Sequence, residues 1–168
     1  MKRQNEGFSL IELVITMAIM AILTGLVALG TGMIGQAETK HIAESVNVAF
    51  SDLKTENMSK TGPVYMHLFQ YEGNYYIEMH TLASCVPSGD YGELIGTTDT
   101  KIELDGVELM DGDVWTFNIS KKDGAFQTMS GVTTVLDSAS TISVSERDGK
   151  LKYDIVLVRD TGRHYIER

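Results

Sequence analysis

Glu12 is the only formally charged side chain between Phe8 and Ala37, and it stands inside the apolar run FSLIELVITMAIMAILTGLVALGTGMI. A carboxylate at the centre of a membrane helix costs at least ~2.5–3.5 kcal/mol on insertion scales, and less near the interface. Such groups usually sit beside a partner, and no other side chain of the run supplies a positive charge. A cut after Gly7 would create one. The new α-amino group at Phe8 would lie one helical turn from Glu12, a cation of the right sign at the right depth. The pair could form within one chain or between neighbouring chains. The competing reading is a carboxylate that is protonated or reaches back to the interface.

Elsewhere the residues that could do chemistry are dispersed. His41, His67, His80 and His164 show no metal-ligand spacing, and there is no HExxH or paired-cysteine pattern. No GxSxG element, Ser-x-x-Lys arrangement or phosphate-binding loop occurs. The expectation is therefore a protein without catalytic residues, metal, cofactor or small-molecule substrate. His67 falls close to opposite Glu78 or Met79 in a proposed hairpin, so a cross-strand contact accounts for it. Asp105, Asp111 and Asp113 lie near Asp-Gly pairs, which a hairpin turn demands without any calcium. Cys85 is the only cysteine, so an intramolecular disulfide is impossible, and it reads as a structurally neutral loop thiol, with a reactive or intermolecular thiol as the alternative.

The element that must position Glu12 is the apolar run itself. About 20 residues suffice to cross a bilayer, and this run is long enough. Lys2 and Arg3 precede it, while Glu38 and Lys40 follow. The positive-inside rule puts the short leader in the cytoplasm and everything after about residue 35 outside. An ordinary secretory signal competes, since Ala28-Leu29-Gly30 is a passable cleavage site. Its apolar core is usually about 7–15 residues, shorter than this run, and it would not contain a carboxylate.

The stretch Gly7-Phe8-Ser9-Leu10-Ile11-Glu12-Leu13-Val14 resembles the class III signal of type IV prepilins and type II secretion pseudopilins. Leader charge, Gly, Phe, Glu and helix length agree together, over about the first 30 residues. The resemblance implies cleavage between Gly7 and Phe8 by a prepilin peptidase, N-methylation of Phe8, and a role for Glu12 in register and assembly. Many members carry a helix-kinking proline late in this span, and here Gly25, Gly30, Gly32 and Gly35 stand instead. Each costs a helix interior about 1 kcal/mol relative to alanine. Gly25–Gly35 is thus expected to bend or melt when packed in a filament, or else to allow close helix approach.

Beyond Gly35 the pattern turns amphipathic. Ile42, Val46, Ala49, Phe50 and Leu53 recur on one helical face, with Glu38, Lys40, Glu44, Asp52 and Lys54 elsewhere. The helix should continue to about Ser59, where Thr61-Gly62-Pro63 stops it. Val64–Tyr71 and Tyr75–His80 around Glu72-Gly73-Asn74 read as a hairpin. Further strands are expected at Lys101–Leu104, Val107–Met110, Val114–Ser120, Ala125–Met129, Thr141–Glu146 and Lys150–Val158. The last has imperfect alternation, as if buried on both faces. The fold class is α+β and pilin-like: one long N-terminal α-helix packed on an antiparallel β-sheet, or two. The domains are residues 1–7 as a cleaved leader, 8–35 as the transmembrane and assembly half-helix, 36–60 as its amphipathic half, and 61–168 as a β-rich globular domain.

A weaker resemblance covers Thr116–Arg163, whose strands, Asp-Gly turns and closing Thr161-Gly162-Arg163 are similar to GspH/FimT-like minor pseudopilins and minor pilins. Some of those bind DNA through a basic Gly-Arg-x-Arg tail, but here Gly162-Arg163-His164-Tyr165 lacks the second Arg. The chain carries a formal net charge of -9. Such acidity repels phosphate backbones and argues against a nucleic-acid partner. The expected function is a structural minor pilin or pseudopilin of a type IV pilus, type II secretion pseudopilus or competence pilus. Its expected partners are other pilins, the prepilin peptidase, an inner-membrane assembly platform and the cytoplasmic membrane. It would be a single-pass membrane protein with its C-terminal domain outside the cytoplasm, then part of a cell-surface or periplasmic filament. The alternatives are a DNA- or surface-binding minor pilin and, third, a secreted β-domain behind an ordinary signal peptide.

Overall fold

A computed structural model describes residues 9–127 and 136–167, with the side chains of 26–34 left aside. The chain divides into two compact units, Met1–Ile34 and Gly35–Arg168, each described by itself below. Helix α1, Leu10–Ser59, contributes to both.

In the first unit, large apolar side chains face outward at consecutive positions, from Leu10 (83% exposed) through Ile11, Leu13, Val14 and Ile15 to Met20 (68%) and Leu23. The threonines of this stretch are satisfied within the helix. Thr16 Oγ1 donates to the Leu13 carbonyl at 2.9 Å and Thr24 Oγ1 to that of Met20 at 2.7 Å. Such back-bonding lets a hydroxyl sit in an apolar helix without an unpaired donor. Among the residues whose side chains are described, no helix is long and apolar enough to cross a membrane. The membrane half expected over 8–35 lies partly outside them, since description of its side chains stops at Gly25. The helix is unbroken from Gly25 to Gly35 in the single chain. Melting there is thus something a filament would have to impose.

In the second unit α1 forms the spine of the core. Thr39, Ile42, Ala43, Val46, Phe50 and Leu53 have no exposed surface, and Ala49 and Asn57 are also buried. This is the expected stripe, extended one turn at each end. The helix stops at Ser59 as expected, and a buried amide locks its exit. Asn57 Nδ2 donates to the carbonyls of Leu53 (3.1 Å) and Val64 (2.8 Å), while Asn57 Oδ1 accepts the Val64 N–H at 2.9 Å. Asn118 Nδ2 adds a second donor to the Val64 carbonyl at 2.6 Å. The helix end and the first strand are thereby fixed at one point.

The strands are β1 Tyr65–Tyr71, β2 Asn74–His80, β3 Glu93–Thr97, β4 Thr100–Leu104, β5 Val107–Glu108, β6 Val114–Asn118, β7 Ala139–Glu146, β8 Lys152–Val158 and β9 Arg163–Glu167. They form two antiparallel sheets, β3-β2-β1-β6 and β5-β4-β7-β8-β9. The β1–β2 hairpin is tighter than expected, because Asn74 belongs to the strand and pairs with Tyr71. Only Glu72 and Gly73 make the turn, both at positive φ (48° and 77°). That is the mirror-image two-residue turn whose twist matches the strands. Asp105 and Gly106 repeat it between β4 and β5, with φ of 50° and 84°.

Both sheets present apolar residues to the helix and to each other, among them Met66, Leu68, Tyr75 and Phe117 from the first and Ile102, Ile142, Val144, Ile155 and Leu157 from the second. Phe50 meets Phe117 and Phe126 edge-to-face, with centroids 5.1 and 5.5 Å apart. Glu38 Oε1 accepts from both the N–H and the hydroxyl of Thr97 at 2.8 Å, tying the helix to β3. Beside that tie, a Cβ on Gly96 would come within 2.4 Å of Ile42 Cδ1, so only glycine allows this approach.

Several expected strands change. β3 and β9 were not expected. Ala125–Met129 reduces, among its described residues, to a single bridge between Phe126 and Ile119; residues 128 and 129 lie outside them. β5 and β6 end two residues early, and β8 begins at Lys152. β8 is not buried on both faces: Ile155 and Leu157 enter the core, whereas Asp154, Val156 and Val158 are half-covered.

Candidate functional site

Ser9 sets where α1 begins. Its hydroxyl accepts the Glu12 N–H at 3.3 Å, and its carbonyl accepts the N–H groups of Glu12 and Leu13 at 3.1 and 3.2 Å. Ser-x-x-Glu is the capping-box spacing, in which the first residue pairs an N–H that the helix leaves orphaned. Only the half of the box made by Ser9 is formed. The Glu12 carboxylate is exposed and bonds no other described residue. It does stand in the first turn, where the helix dipole favours negative charge.

The geometry gives Glu12 a setting the sequence reading had not used. It is a carboxylate one turn into an apolar helix, supported by the helix end and open to a cation. Gly7 and Phe8, the other expected site residues, lie outside the described residues. Ser9 was missed as a functional position, although its signal was legible. Phe8-Ser9-x-x-Glu12-Leu13 places a capping residue between two apolar residues at the spacing of a hydrophobic staple.

The remaining candidates have structural work. His67 is opposite Glu78, as expected, but its ring is buried and bonded to Thr116 Oγ1 at 2.9 Å and to the Leu82 carbonyl at 3.1 Å. Asp113 Oδ2 accepts the Met110 N–H at 3.2 Å within its own turn, and Asp105 Oδ1 accepts the Thr141 N–H of β7 at 2.7 Å, tying the β4–β5 turn to that strand. Among the described residues no group of His, Cys, Asp or Glu is arranged to hold a metal ion. Cys85 Sγ lies 3.4 Å from Glu78 Oε2. Burial, with the Glu78 carboxylate beside it, pushes its thiol up to about 12, far from a reactive thiolate.

The C-terminal basic residues are largely engaged. Arg147 reaches Glu108, Lys150 reaches Asp148, Lys152 reaches Asp154 and Arg159 reaches Asp160. A groove beside α1 is rimmed by Glu44, Asp52, Glu56 and Glu93. Among the described residues this leaves Arg163 as the one C-terminal cation outside an ion pair, beside an acidic groove, an arrangement poorly suited to a phosphate backbone.

Residues 2–28 match the prokaryotic N-terminal methylation motif, a span that takes in Gly7, Phe8 and Glu12. No curated protein matches the chain, and no solved structure does. The motif supports a type IV pilin-like subunit, processed by a prepilin peptidase, associated with the membrane through its N-terminus and assembling with other pilins. It is a motif of structural rather than catalytic proteins.

Proposed function

We propose that the chain is a minor pilin or pseudopilin that crosses the cytoplasmic membrane once through residues 8–35. It is cut between Gly7 and Phe8, methylated at Phe8, and enters a filament through its N-terminal helix. The observation that carries this reading is the Glu12 carboxylate, exposed and unpartnered among described residues within the stretch Leu10–Gly25, whose large apolar side chains are all exposed. The α-amino group released at Phe8 is the cation such a site needs, and a neighbouring subunit's amine serves equally. The amphipathic stretch 36–60 and the β-rich stretch 61–168 then form the part displayed outside the membrane. Its other partners are the inner-membrane assembly platform and the other subunits of a pilus, a secretion pseudopilus or a competence pilus.

Intact-mass analysis and N-terminal sequencing of the membrane-extracted protein test the processing step. A start at methylated Phe8 is expected, and a start at Thr31 would replace this reading with an ordinary signal peptide. Glu12→Ala and Glu12→Leu should insert and be cleaved normally yet enter filaments poorly. Normal incorporation of both would remove the charge-pairing role.

A further inference from the structure

Leu82 is gripped from both sides of its backbone by histidines of the first sheet. Its N–H donates to His80 Nδ1 at 2.9 Å, and its carbonyl accepts from His67 Nε2 at 3.1 Å. A ring nitrogen that accepts an N–H carries no proton, so His80 is neutral in this geometry. His67 donates through Nε2; its Nδ1, 2.9 Å from the Thr116 hydroxyl on β6, is then the acceptor of a neutral ring. Both rings hold Leu82 in their uncharged forms.

Leu82 anchors the connection 81–92 between β2 and β3. This segment lies over the outer face of the first sheet, where Phe69 and Tyr76 stack with centroids 5.5 Å apart. Its glycines sit tightly on that pair. A Cβ on Gly89 would come within 3.1 Å of Tyr76 Oη, and one on Gly92 within 2.9 Å of Tyr76 Cβ and 3.0 Å of Phe69 Cζ. Cys85, in the same segment, touches Glu78 from above.

We propose that residues 81–92 form an acid-released strap: protonation of His80 and His67 frees Leu82, lifts the segment, and bares the Phe69–Tyr76 face and Cys85. The step is a pure proton gain. On His80 the added proton sits at Nδ1 and faces the Leu82 N–H, donor against donor, so that bond is lost. On His67 it sits at Nδ1 inside the sheet, where the Thr116 hydroxyl must reverse to accept it and the charge is cut off from water.

Burial is the main reason the His67 pKa lies below its ordinary value; the Leu82 carbonyl and Glu78 act the other way, and His80 adds to the lowering. A folded-state pKa below the unfolded one gives stability that is complete above about pH 6.5 and is lost as pH falls through that value toward the folded one. The other titratable groups around the strap are Glu78, Cys85 and Tyr91, Asp90 of the segment itself, and Tyr76 and Tyr71 under Gly89; Asp105, Asp113 and Asp137 line a groove with Cys85. Glu78 opposes release by favouring a charged His67, so opening needs both histidines.

Cys85 is the single cysteine of the chain and reports directly on the strap. The full-length protein in detergent would be labelled with 4,4′-dithiodipyridine, which reacts in acid, at about pH 7.5 and about pH 5, with circular dichroism following the fold. Labelling should be about tenfold faster at the lower pH while the fold is kept, the reverse of an ordinary thiol's trend. His67→Gln with His80→Asn keeps a donor and an acceptor for Leu82 that do not titrate; its two rates should agree within about twofold. His164→Gln should leave the acid acceleration in place. Equal rates at both pH values in the unaltered protein, or acid acceleration undiminished in the double variant, would overturn the proposal. Should the double variant not fold, His80→Asn alone carries the same comparison.

Discussion

Leu10–Gly25 and Thr39–Asn57 are stretches of one helix, drawn from much the same aliphatic residues, that meet opposite surroundings. In the first, Leu10, Ile11, Leu13, Val14 and Ile15 are all exposed, so the apolar surface runs around the helix. In the second, burial recurs every three or four residues, and Lys40, Glu44 and Asp52 take the open faces. An all-round apolar helix suits surroundings that are apolar on every side, whereas a striped one suits a single packed face. The second stretch is committed to the fold of the β-rich unit, and the first keeps its apolar surface uncovered within the same element.

The largest expected contrast comes from truncating one apolar residue in each. Phe50→Ala should cost the β-rich unit about 3–5 kcal/mol, because it empties a fully buried site between Phe117 and Phe126. Ile15→Ala should change the same unfolding transition by less than about 0.5 kcal/mol. Thermal unfolding of the full-length protein in detergent compares them, and similar losses would break the distinction. Asn57→Ala should cost about 1–3 kcal/mol by orphaning the buried Val64 N–H, and Gly96→Val a similar amount by displacing Ile42. Both losses belong to the striped stretch and should leave membrane extraction of the protein unchanged.

The smallest effect is that of pH. His164, on β9, bonds Ser51 Oγ of the helix at 3.0 Å and packs 5.7 Å from Phe50. Its pKa is lowered chiefly by burial and also by Lys54, against the pull of the Gly162 carbonyl. The unfolded chain thus binds the proton more readily, so stability should fall as pH drops below about 6.5. The midpoint of unfolding, followed between about pH 7.5 and about pH 5, should move less in His164→Gln than in the unaltered protein.

The sequence made the helix, its stop, its buried stripe and most of the Asp-Gly turns legible because these depend on local spacing. What it concealed depends on distant partners. β3 is short, contains Gly96, and has an irregular register opposite Tyr75 and Tyr76. Its place is set by Ile42 and Glu38, more than fifty residues earlier in the chain. β9 reads as a charged tail until Ile166 and His164 are seen to pair with Ile155 and Leu157. At the N-terminus Glu12 stood out by charge alone. Ser9 was passed over because it carries no charge, although its capping spacing to Glu12 between Phe8 and Leu13 was there to be seen.

The outer strands of the two sheets carry one more consequence. β5 is two residues long, and its Glu108 is engaged by Lys101 and Arg147; β9 presents Arg163 and Glu167 to solvent. β3 is interrupted by its irregular register. Short, charged or irregular margins are poor templates for strand addition. At those three margins, copies of this unit crowded side by side would find little to extend into a continuous cross-β array.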